Sequence, residues 1–294
     1  MAQDSSSVFG NIDSLLGDRY TREAWLAPAF LSILPFFLLL FSWVTDLQQT
    51  FTGLVSLFAV FGVVRWISHI SRVIGTDMDI HLYHHWGGMP TTTLLRAKPE
   101  DAICGGDPRL KRYFPEPGLR LQIYTQYKIA MEAMHLTPRD LPTTEDEAVA
   151  IGEGHHKDWA ALDKLYEPMV AWLRENSRDN ALLFEENISY GFQKNFYALK
   201  PFALRCGYVA LVIQITAIYE TSWRMTAGRP SDITLAAVTT GVVAFLYGVH
   251  RFVDEEGVKL QAFTYARQLL HTAYKSKSDA KPNAAAPAKA GDGG

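Results

Sequence analysis

The chain has 294 residues, of which 48% are hydrophobic and 20% are charged, and its formal net charge is −3. This length allows one large domain or two small ones, and so small a net charge argues against strong non-specific binding to nucleic acid. The mean hydropathy lies close to zero, but this average conceals apolar segments that are separated by polar ones.

The first apolar segment is long enough to cross a membrane. Residues 1–23 are predicted to form a polar N-terminal interfacial segment, whereas Ala24–Thr45 carries no charge. About 20 apolar residues suffice to cross the hydrocarbon core, and Trp25 and Trp43 lie near the two ends, where indole rings favour the membrane interface. A cleaved signal peptide is not indicated, because the segment is too long and no small-residue cleavage site follows it directly.

Three further apolar segments lie at Phe51–Ile67, Ala203–Trp223 and Asp232–His250. Short turns join the four segments in pairs, so we predict two transmembrane helical hairpins, residues 24–72 and residues 203–250. For the last three segments a buried core helix stays an open alternative, since apolar stretches below the length of a full span also occur in protein cores.

The polar segment between the hairpins, residues 73–202, is large enough to have its own core. Apolar side chains recur there at helical spacing, and no alternating strand pattern separates them; the predicted helices lie at residues 119–134, 160–176 and 182–200. A short extended piece is predicted around residues 89–93. The predicted fold class is therefore mainly α, a polytopic membrane protein with two transmembrane helical hairpins flanking a helical cytosolic domain.

The second hairpin is followed by an amphipathic pattern and a tail. Residues 251–275 are predicted to form a helix that packs on the cytosolic domain or on further copies of the chain. Its apolar positions are Val258, Phe263, Ala266, Leu269, Leu270 and Ala273. Residues 276–294 are rich in Ala, Pro, Lys and Gly, a composition typical of disordered tails.

The positions of Lys and Arg predict the orientation of the chain in the membrane. The turn between the first two segments has neither residue, whereas basic residues flank the other ends at Arg19, Arg22, Arg65, Arg72, Lys194, Lys200, Arg205, Arg251 and Lys259. Both termini and the central segment are therefore predicted to be cytoplasmic, although Arg224 and Arg229 in the last turn point the other way. In the reducing cytosol, a structural disulfide between Cys104 and Cys206 is not expected.

Three histidines lie just after the first hairpin, at His81, His84 and His85. On a helix His81 and His85 share a face, which is a spacing found in zinc sites. Leu82 stands where the HExxH motif has its glutamate, and a cluster that bonds to headgroups or backbone is the favoured alternative. We therefore predict no metal ligand and no cofactor.

The next residues predict a turn beside basic side chains. Glycines at positions 87 and 88 suit the end of a helix, and Thr91 or Thr92 is then predicted to cap the next one. Free amides and hydroxyls at this turn favour a phosphate, and a plain hinge is the simpler alternative. The basic residues that follow are interleaved with aromatic ones, which can hold phosphates and stack a base; for these, a solvated surface is the simpler alternative. The predicted ligand-binding residues are Thr91, Thr92, Arg96, Lys98, Arg109, Lys111, Arg112 and Tyr113.

Polar side chains also interrupt the second hairpin, at Gln214, Thr216, Thr239 and Thr240. Such side chains either bond to neighbouring helices or face water, and we predict that they line a pore between several copies of the chain.

Gly191, within Glu185–Asn195, costs a helix about 1 kcal/mol relative to Ala, which indicates close packing or a bend. No nucleophile motif is present, so no catalytic residue and no enzymatic activity are predicted.

The order of hairpin, cytosolic helical domain, hairpin and cytosolic tail resembles the four-transmembrane effectors of bacterial antiphage systems that respond to nucleotide signals. The resemblance lies in layout, chain length and hairpin positions. It implies a homo-oligomeric channel or pore, with a tetramer as one candidate, that stays shut until an anionic nucleotide or oligonucleotide binds the cytosolic domain. Duplex nucleic acid is not an expected partner. The alternatives are a membrane-anchored scaffold for a soluble partner and a metalloenzyme that uses the histidine cluster.

Overall fold

The computed structural model describes residues 18–43, 50–96, 110, 112–115, 117–133, 159–223 and 232–279. This part of the chain is 92% helical and contains no strand, which confirms the mainly α fold. A π-helical segment, Thr21–Leu26, leads directly into the first α-helix. The α-helices are α1 Ala27–Trp43, α2 Thr50–Trp86, α3 Pro90–Arg96, α4 Pro117–Ala133, α5 Trp159–Asn176, α6 Ala181–Trp223, α7 Asp232–Phe252 and α8 Glu255–Asp279.

Three described stretches are long and apolar enough to cross a membrane, namely Thr21–Leu39, Ala181–Tyr219 and Ile233–Phe252. They overlap the first, third and fourth of the predicted spans, and they are compatible with a multi-pass membrane protein. The second predicted span, Phe51–Ile67, lies within α2 and is not among the three.

Two helices are much longer than a membrane span. The 37 residues of α2 and the 43 residues of α6 correspond to about 55 Å and about 65 Å at ~1.5 Å per residue, whereas a hydrocarbon core is about 30 Å thick. The helix predicted at residues 182–200 and the following span thus form one helix, which continues through Pro201. The predicted boundaries at residues 73 and 202 fall inside these two helices.

The chain divides into two compact units. The first lies within Met1–His81 and Asn187–Gln261, and the second lies within Leu82–Glu186 and Ala262–Gly294.

Small side chains allow close helix packing in the first unit. Helix α6 contributes Leu199 and Cys206 to a buried cluster. The other members of this cluster are Leu26, Ala29, Ile33, Val64 and Ile67. Further along, Ala210 packs against Val238, Val242 and Leu246 of α7. A Cβ atom on Gly207 would lie 2.5 Å from Leu246 Cδ2, so glycine lets these two helices approach closely, as is common between membrane helices.

The core of the second unit is built from α4, α5 and the C-terminal part of α8. On α4, Ile123 and Tyr127 are buried, and the Tyr127 ring lies 5.9 Å from that of Trp172 on α5. Phe263 of α8 is buried and its ring lies 6.4 Å from that of Tyr113. All six apolar positions predicted for the C-terminal helix are buried, which confirms that this helix has a core-facing side. The helix extends to Asp279, slightly beyond its predicted end.

Candidate functional site

The end of α2 is shaped by two glycines of the second unit. Gly87 and Gly88 have φ angles of 79° and 111°, a region that L side chains rarely adopt. The Gly88 amide donates to the Tyr83 carbonyl at 2.7 Å, which satisfies one of the carbonyls left without a helical partner. The predicted glycine end of this helix is confirmed.

The start of α3 differs from its prediction. Helix α3 begins at Pro90, a first-turn position where the missing N–H of proline costs no helical hydrogen bond. The extended piece predicted around residues 89–93 is therefore wrong. The predicted caps Thr91 and Thr92 are also wrong, because both residues lie inside the helix rather than before it.

The N-terminus of α3 is capped by a carboxylate from a distant part of the sequence. The Met89 amide donates to Asp163 Oδ2 of α5 at 2.8 Å, and the Thr92 hydroxyl lies within hydrogen-bond distance of Asp163 Oδ1 and of the Met89 carbonyl. Burial raises the pKa of Asp163, and the Thr92 hydroxyl, the Met89 amide and the Arg96 charge partly oppose that rise. The carboxylate thus takes the role at this helix end that a Ser or Asp cap usually has.

Arg96 completes this arrangement, which we call the Asp163 cluster (Gly87, Gly88, Met89, Thr92, Arg96 and Asp163). The Arg96 side chain is fully buried and its Nη2 donates to the Gly87 carbonyl. A Cβ atom on Gly88 would lie 2.9 Å from Arg96 Nη2 and 3.0 Å from Asp163 Oδ1. Glycine is therefore required here for space as well as for backbone conformation. A buried guanidinium and a half-buried carboxylate hold the link between α2 and α3 against α5.

The structure separates the predicted ligand-binding residues into two places. Thr91, Thr92 and Arg96 are all buried on α3. Arg112 is exposed, its guanidinium lies 4.8 Å from the centre of the Tyr113 ring, and its Nη2 donates to the Tyr113 hydroxyl at 2.7 Å. Lys98, Arg109 and Lys111 lie outside the described residues.

A second polar arrangement holds three elements of the first unit together. The Asn195 side chain of α6 is buried and donates to the Ala24 carbonyl of the π-helical segment at 2.7 Å. The Ser71 hydroxyl of α2 donates to the Asn195 carbonyl at 3.3 Å. A Cβ atom on Gly75 would lie 3.0 Å from Asn195 Oδ1. We call these residues, with Gly191, the Asn195 junction.

Gly191 allows the π-helical segment to approach α6. A Cβ atom there would lie 2.9 Å from the Ala24 Cβ and 2.9 Å from the Tyr20 hydroxyl. Of the two alternatives predicted for this glycine, close packing or a bend, the structure shows close packing. Local π-helical turns are frequent at functional sites, and the Ala24 carbonyl of this turn is the one that accepts the Asn195 hydrogen bond.

An ion pair between Asp79 and Lys194 also links α2 and α6. Lys194 Nζ lies 2.9 Å from Asp79 Oδ2, and the two side chains are only 19% and 22% exposed. The Tyr190 hydroxyl lies 3.5 Å from the other carboxylate oxygen. Burial raises the pKa of Asp79, while the Lys194 charge and the hydrogen bonds from Lys194 and Tyr190 oppose that rise. A charge pair this poorly solvated depends strongly on each partner.

The four predicted pore-lining residues also divide into two sets. Gln214 is fully buried, and its Nε2 donates to the Leu235 carbonyl of α7 at 3.3 Å. The half-buried Thr239 hydroxyl donates to the same carbonyl at 2.8 Å. Thr216 and Thr240 are exposed, and each hydroxyl donates to the carbonyl four residues earlier, which lowers the cost of placing a hydroxyl in an apolar medium.

Comparisons with known proteins identify no relative. No family model, no curated protein and no solved structure matches the chain.

The histidine cluster does not combine with other ligands in the part of the chain that the structure describes. No group of three or more His, Cys, Asp or Glu side chains there is arranged to hold a metal ion. The His84 and His85 rings lie 6.2 Å apart, and Asp79, a neighbouring acidic residue, is paired with Lys194.

Proposed function

We propose that the chain is an oligomeric effector of the bacterial inner membrane, an ion channel or pore that opens when a small anionic ligand, a nucleotide or an oligonucleotide, binds its cytosolic segment. In this proposal the chain crosses the membrane four times, as two hairpins at residues 24–72 and 203–250, and both termini are cytoplasmic. Its partners are the lipid bilayer, further copies of itself and the ligand.

The observation that carries the proposal is the length of α6. This single helix contains a candidate membrane span and also extends well beyond the thickness of a hydrocarbon core. Because an α-helix is stiff, a displacement of the polar end of α6 is carried along the helix into its span. The Asn195 junction then passes the displacement to α2 and to the π-helical segment through hydrogen bonds of 2.7 Å and 3.3 Å.

The exposed threonines support a pathway between copies rather than within one chain. Thr216 and Thr240 lie on the exposed surfaces of α6 and α7, where several copies can bring their hydroxyls together around water. Gln214 and Thr239 both bond to the Leu235 carbonyl and so hold α6 against α7. In the proposal, therefore, the first two residues face the ions and the other two maintain the hairpin.

Recordings from planar bilayers that contain the purified protein test this function. Cyclic and linear nucleotides are added in turn, and Thr216→Val and Thr240→Val are compared with Thr125→Val. Thr125 is also an exposed threonine, on α4, with the same hydrogen bond to the carbonyl four residues earlier, but it lies outside every candidate span. We expect ligand-dependent current that the first two variants alter and the control does not. Silence with every ligand, after reconstitution has been verified, contradicts the proposal.

One observation favours a membrane-anchored scaffold as a second candidate function. On α4, Leu121 and Ile129 are 67% and 60% exposed and lie on the same face with Thr125 between them. A soluble partner with a complementary apolar surface would bury this face. Co-purification of a stoichiometric partner that is lost with Leu121→Gln and Ile129→Gln, together with no conductance, would favour this alternative.

A further inference from the structure

The polar half of α2 carries a narrow exposed apolar stripe. Trp66, Val73 and Ile80 are 67%, 52% and 71% exposed, and consecutive members of the set are seven residues apart. The opposite side of the helix is buried, at Ile67, Ser71 and neighbouring positions. The stripe extends over about 21 Å of helix at ~1.5 Å per residue, and all three residues belong to the first unit.

The surroundings of the stripe distinguish it from a lipid-facing surface. Arg65, His69, Arg72 and Asp77 are exposed on the same half of the helix, so an acyl chain in contact with the stripe would also meet these charges. Scattered exposed apolar residues need no explanation, but a set aligned along one line of a helix does. The line is bordered by His69 and Thr76 on one side and by Ile70 and Asp77 on the other, an arrangement compatible with a seam between two helices.

The spacing of the stripe indicates the geometry of the partner helix. On a straight α-helix, positions seven residues apart drift by about 20° around the axis, and a left-handed supercoil with a second helix cancels that drift. Trp66, Val73 and Ile80 then occupy the a positions of a heptad. Two of these three a positions carry β-branched residues, which are common at a in two-stranded parallel coiled coils.

The charges that flank the stripe are complementary for two parallel copies. With Trp66 at a, Arg72 occupies a g position and Asp77 occupies the next e position. In a parallel pair, a g residue of one helix faces the e residue five positions later in the other helix, so Arg72 meets Asp77 of the second copy and Asp77 meets Arg72. Among the residues that the structure describes, Asp77 has no ion-pair partner.

The position of Arg72 is compatible with such a pair. Its guanidinium lies 4.8 Å from the centre of the Trp25 ring. A guanidinium that stacks through its face still presents its N–H groups at the edge, where a carboxylate binds. The stacking on Trp25 therefore orients Arg72 without occupying the atoms that the ion pair needs.

We infer that residues 66–80 of α2 pack in parallel against the same residues of a second copy of the chain, with Arg72 of each copy paired to Asp77 of the other. Copies inserted with one topology are related by an axis along the membrane normal, which makes their α2 helices parallel. The polar residues His69 and Thr76 at the d positions make this seam weaker than a fully apolar one. The inference rests on the oligomeric part of the proposed function and is independent of whether the assembly conducts.

Cysteine cross-linking tests the register. The full chain carrying Val73→Cys or Ile80→Cys is oxidised with copper phenanthroline in native membranes, and Ile74→Cys serves as the control. Ile74 is also β-branched and exposed, but it lies about 100° around the helix from Val73. We expect disulfide-linked dimers for the first two variants and only the level of the parent protein for the control. Equal cross-linking of all three, or none of any, overturns the inference.

A charge exchange tests the pairing separately. Arg72→Glu and Asp77→Arg are each expected to weaken dimerisation in detergent about tenfold, since each change turns two attractive pairs into repulsive ones. The double variant should restore it. If the double variant stays as weak as the single ones while eluting as a folded species, the register is wrong. Restored dimers that carry no ligand-dependent current would refute the proposed channel and leave this interface intact.

Discussion

Gly191→Ala tests the close packing between the π-helical segment and α6. The added Cβ atom would lie 2.9 Å from the Ala24 Cβ and 3.3 Å from the Tyr20 Cζ. The Ala24 Cβ is attached directly to the backbone, so it moves only if the π-helical segment moves. Overpacking of this kind costs about 1–3 kcal/mol, and the better helix propensity of alanine offsets about 1 kcal/mol of that cost. The expected net loss of stability is therefore about 0–2 kcal/mol.

Gly62→Ala is the matched control, because Gly62 also lies inside a long helix but no heavy atom lies within 4 Å of its added Cβ. This variant should gain about 1 kcal/mol from helix propensity alone, so it should exceed Gly191→Ala in stability by at least about that amount. Both purified proteins are heated in the same detergent, and the fraction that still elutes as a single species is followed by size-exclusion chromatography. Gly191→Ala should unfold at a lower temperature than Gly62→Ala. Equal midpoints, or a more stable Gly191→Ala, would refute the packing described for the Asn195 junction.

Three further predictions concern buried polar groups. Lys194→Met should cost about 1–3 kcal/mol, because it leaves the poorly solvated Asp79 without its cation, and adding Asp79→Asn should recover part of that loss in a thermal double-mutant cycle. Since burial raises the pKa of Asp163, the folded protein binds this proton more tightly than the unfolded chain, and the stability due to this group falls as the pH rises above the ordinary Asp value through the raised pKa. Asp163→Asn should remove that dependence, so the difference between the unfolding midpoints of the two proteins should change steadily as the pH rises above the ordinary Asp value; a constant difference would contradict the assignment. Gln214→Leu should change stability by less than about 1 kcal/mol. It removes one long hydrogen bond, but it also removes a buried amide oxygen that has no hydrogen-bond partner in the described part of the chain. An unfolding free energy lower by about 2 kcal/mol or more would be inconsistent with that balance.

The helices themselves were largely predictable from apolar periodicity. Helices α4 and α5 lie close to where their patterns placed them, and the apolar positions of α8 are buried. The continuity of α6 was not predicted, because the change from an amphipathic to a wholly apolar pattern near Pro201 resembles a boundary between two helices. An internal proline removes one backbone hydrogen bond, and the packing of Leu199 and Cys206 on both sides of it stabilises the helix there.

The polar arrangements were predictable only where a residue was anomalous in its local pattern. Gly191 was identified because a glycine inside a helical pattern has an energetic cost that some contact must offset. Asn195 and Asp163 are ordinary in their local patterns, since a polar residue on an amphipathic helix normally faces water. Their partners lie far away in sequence: Ala24 is 171 residues from Asn195, and Met89 is 74 residues from Asp163. Only the folded chain reveals these contacts.

The Asp163 cluster constrains where the anionic ligand of the proposed function could bind. A phosphate bound between Thr92 and Arg96 would lie beside the Asp163 carboxylate, which already accepts from the Met89 amide and lies against the Thr92 hydroxyl. Two anions at that distance repel each other, so the phosphate and the ionised carboxylate exclude each other from the end of α3. A ligand that binds there must release α3 from α5. A ligand that leaves Asp163 in place must bind elsewhere. Among the predicted basic residues that the structure describes, Arg112 is the exposed one. Under the proposed function, whether the contact between α3 and α5 survives ligand binding therefore distinguishes a ligand that opens the second unit from one that binds to its surface.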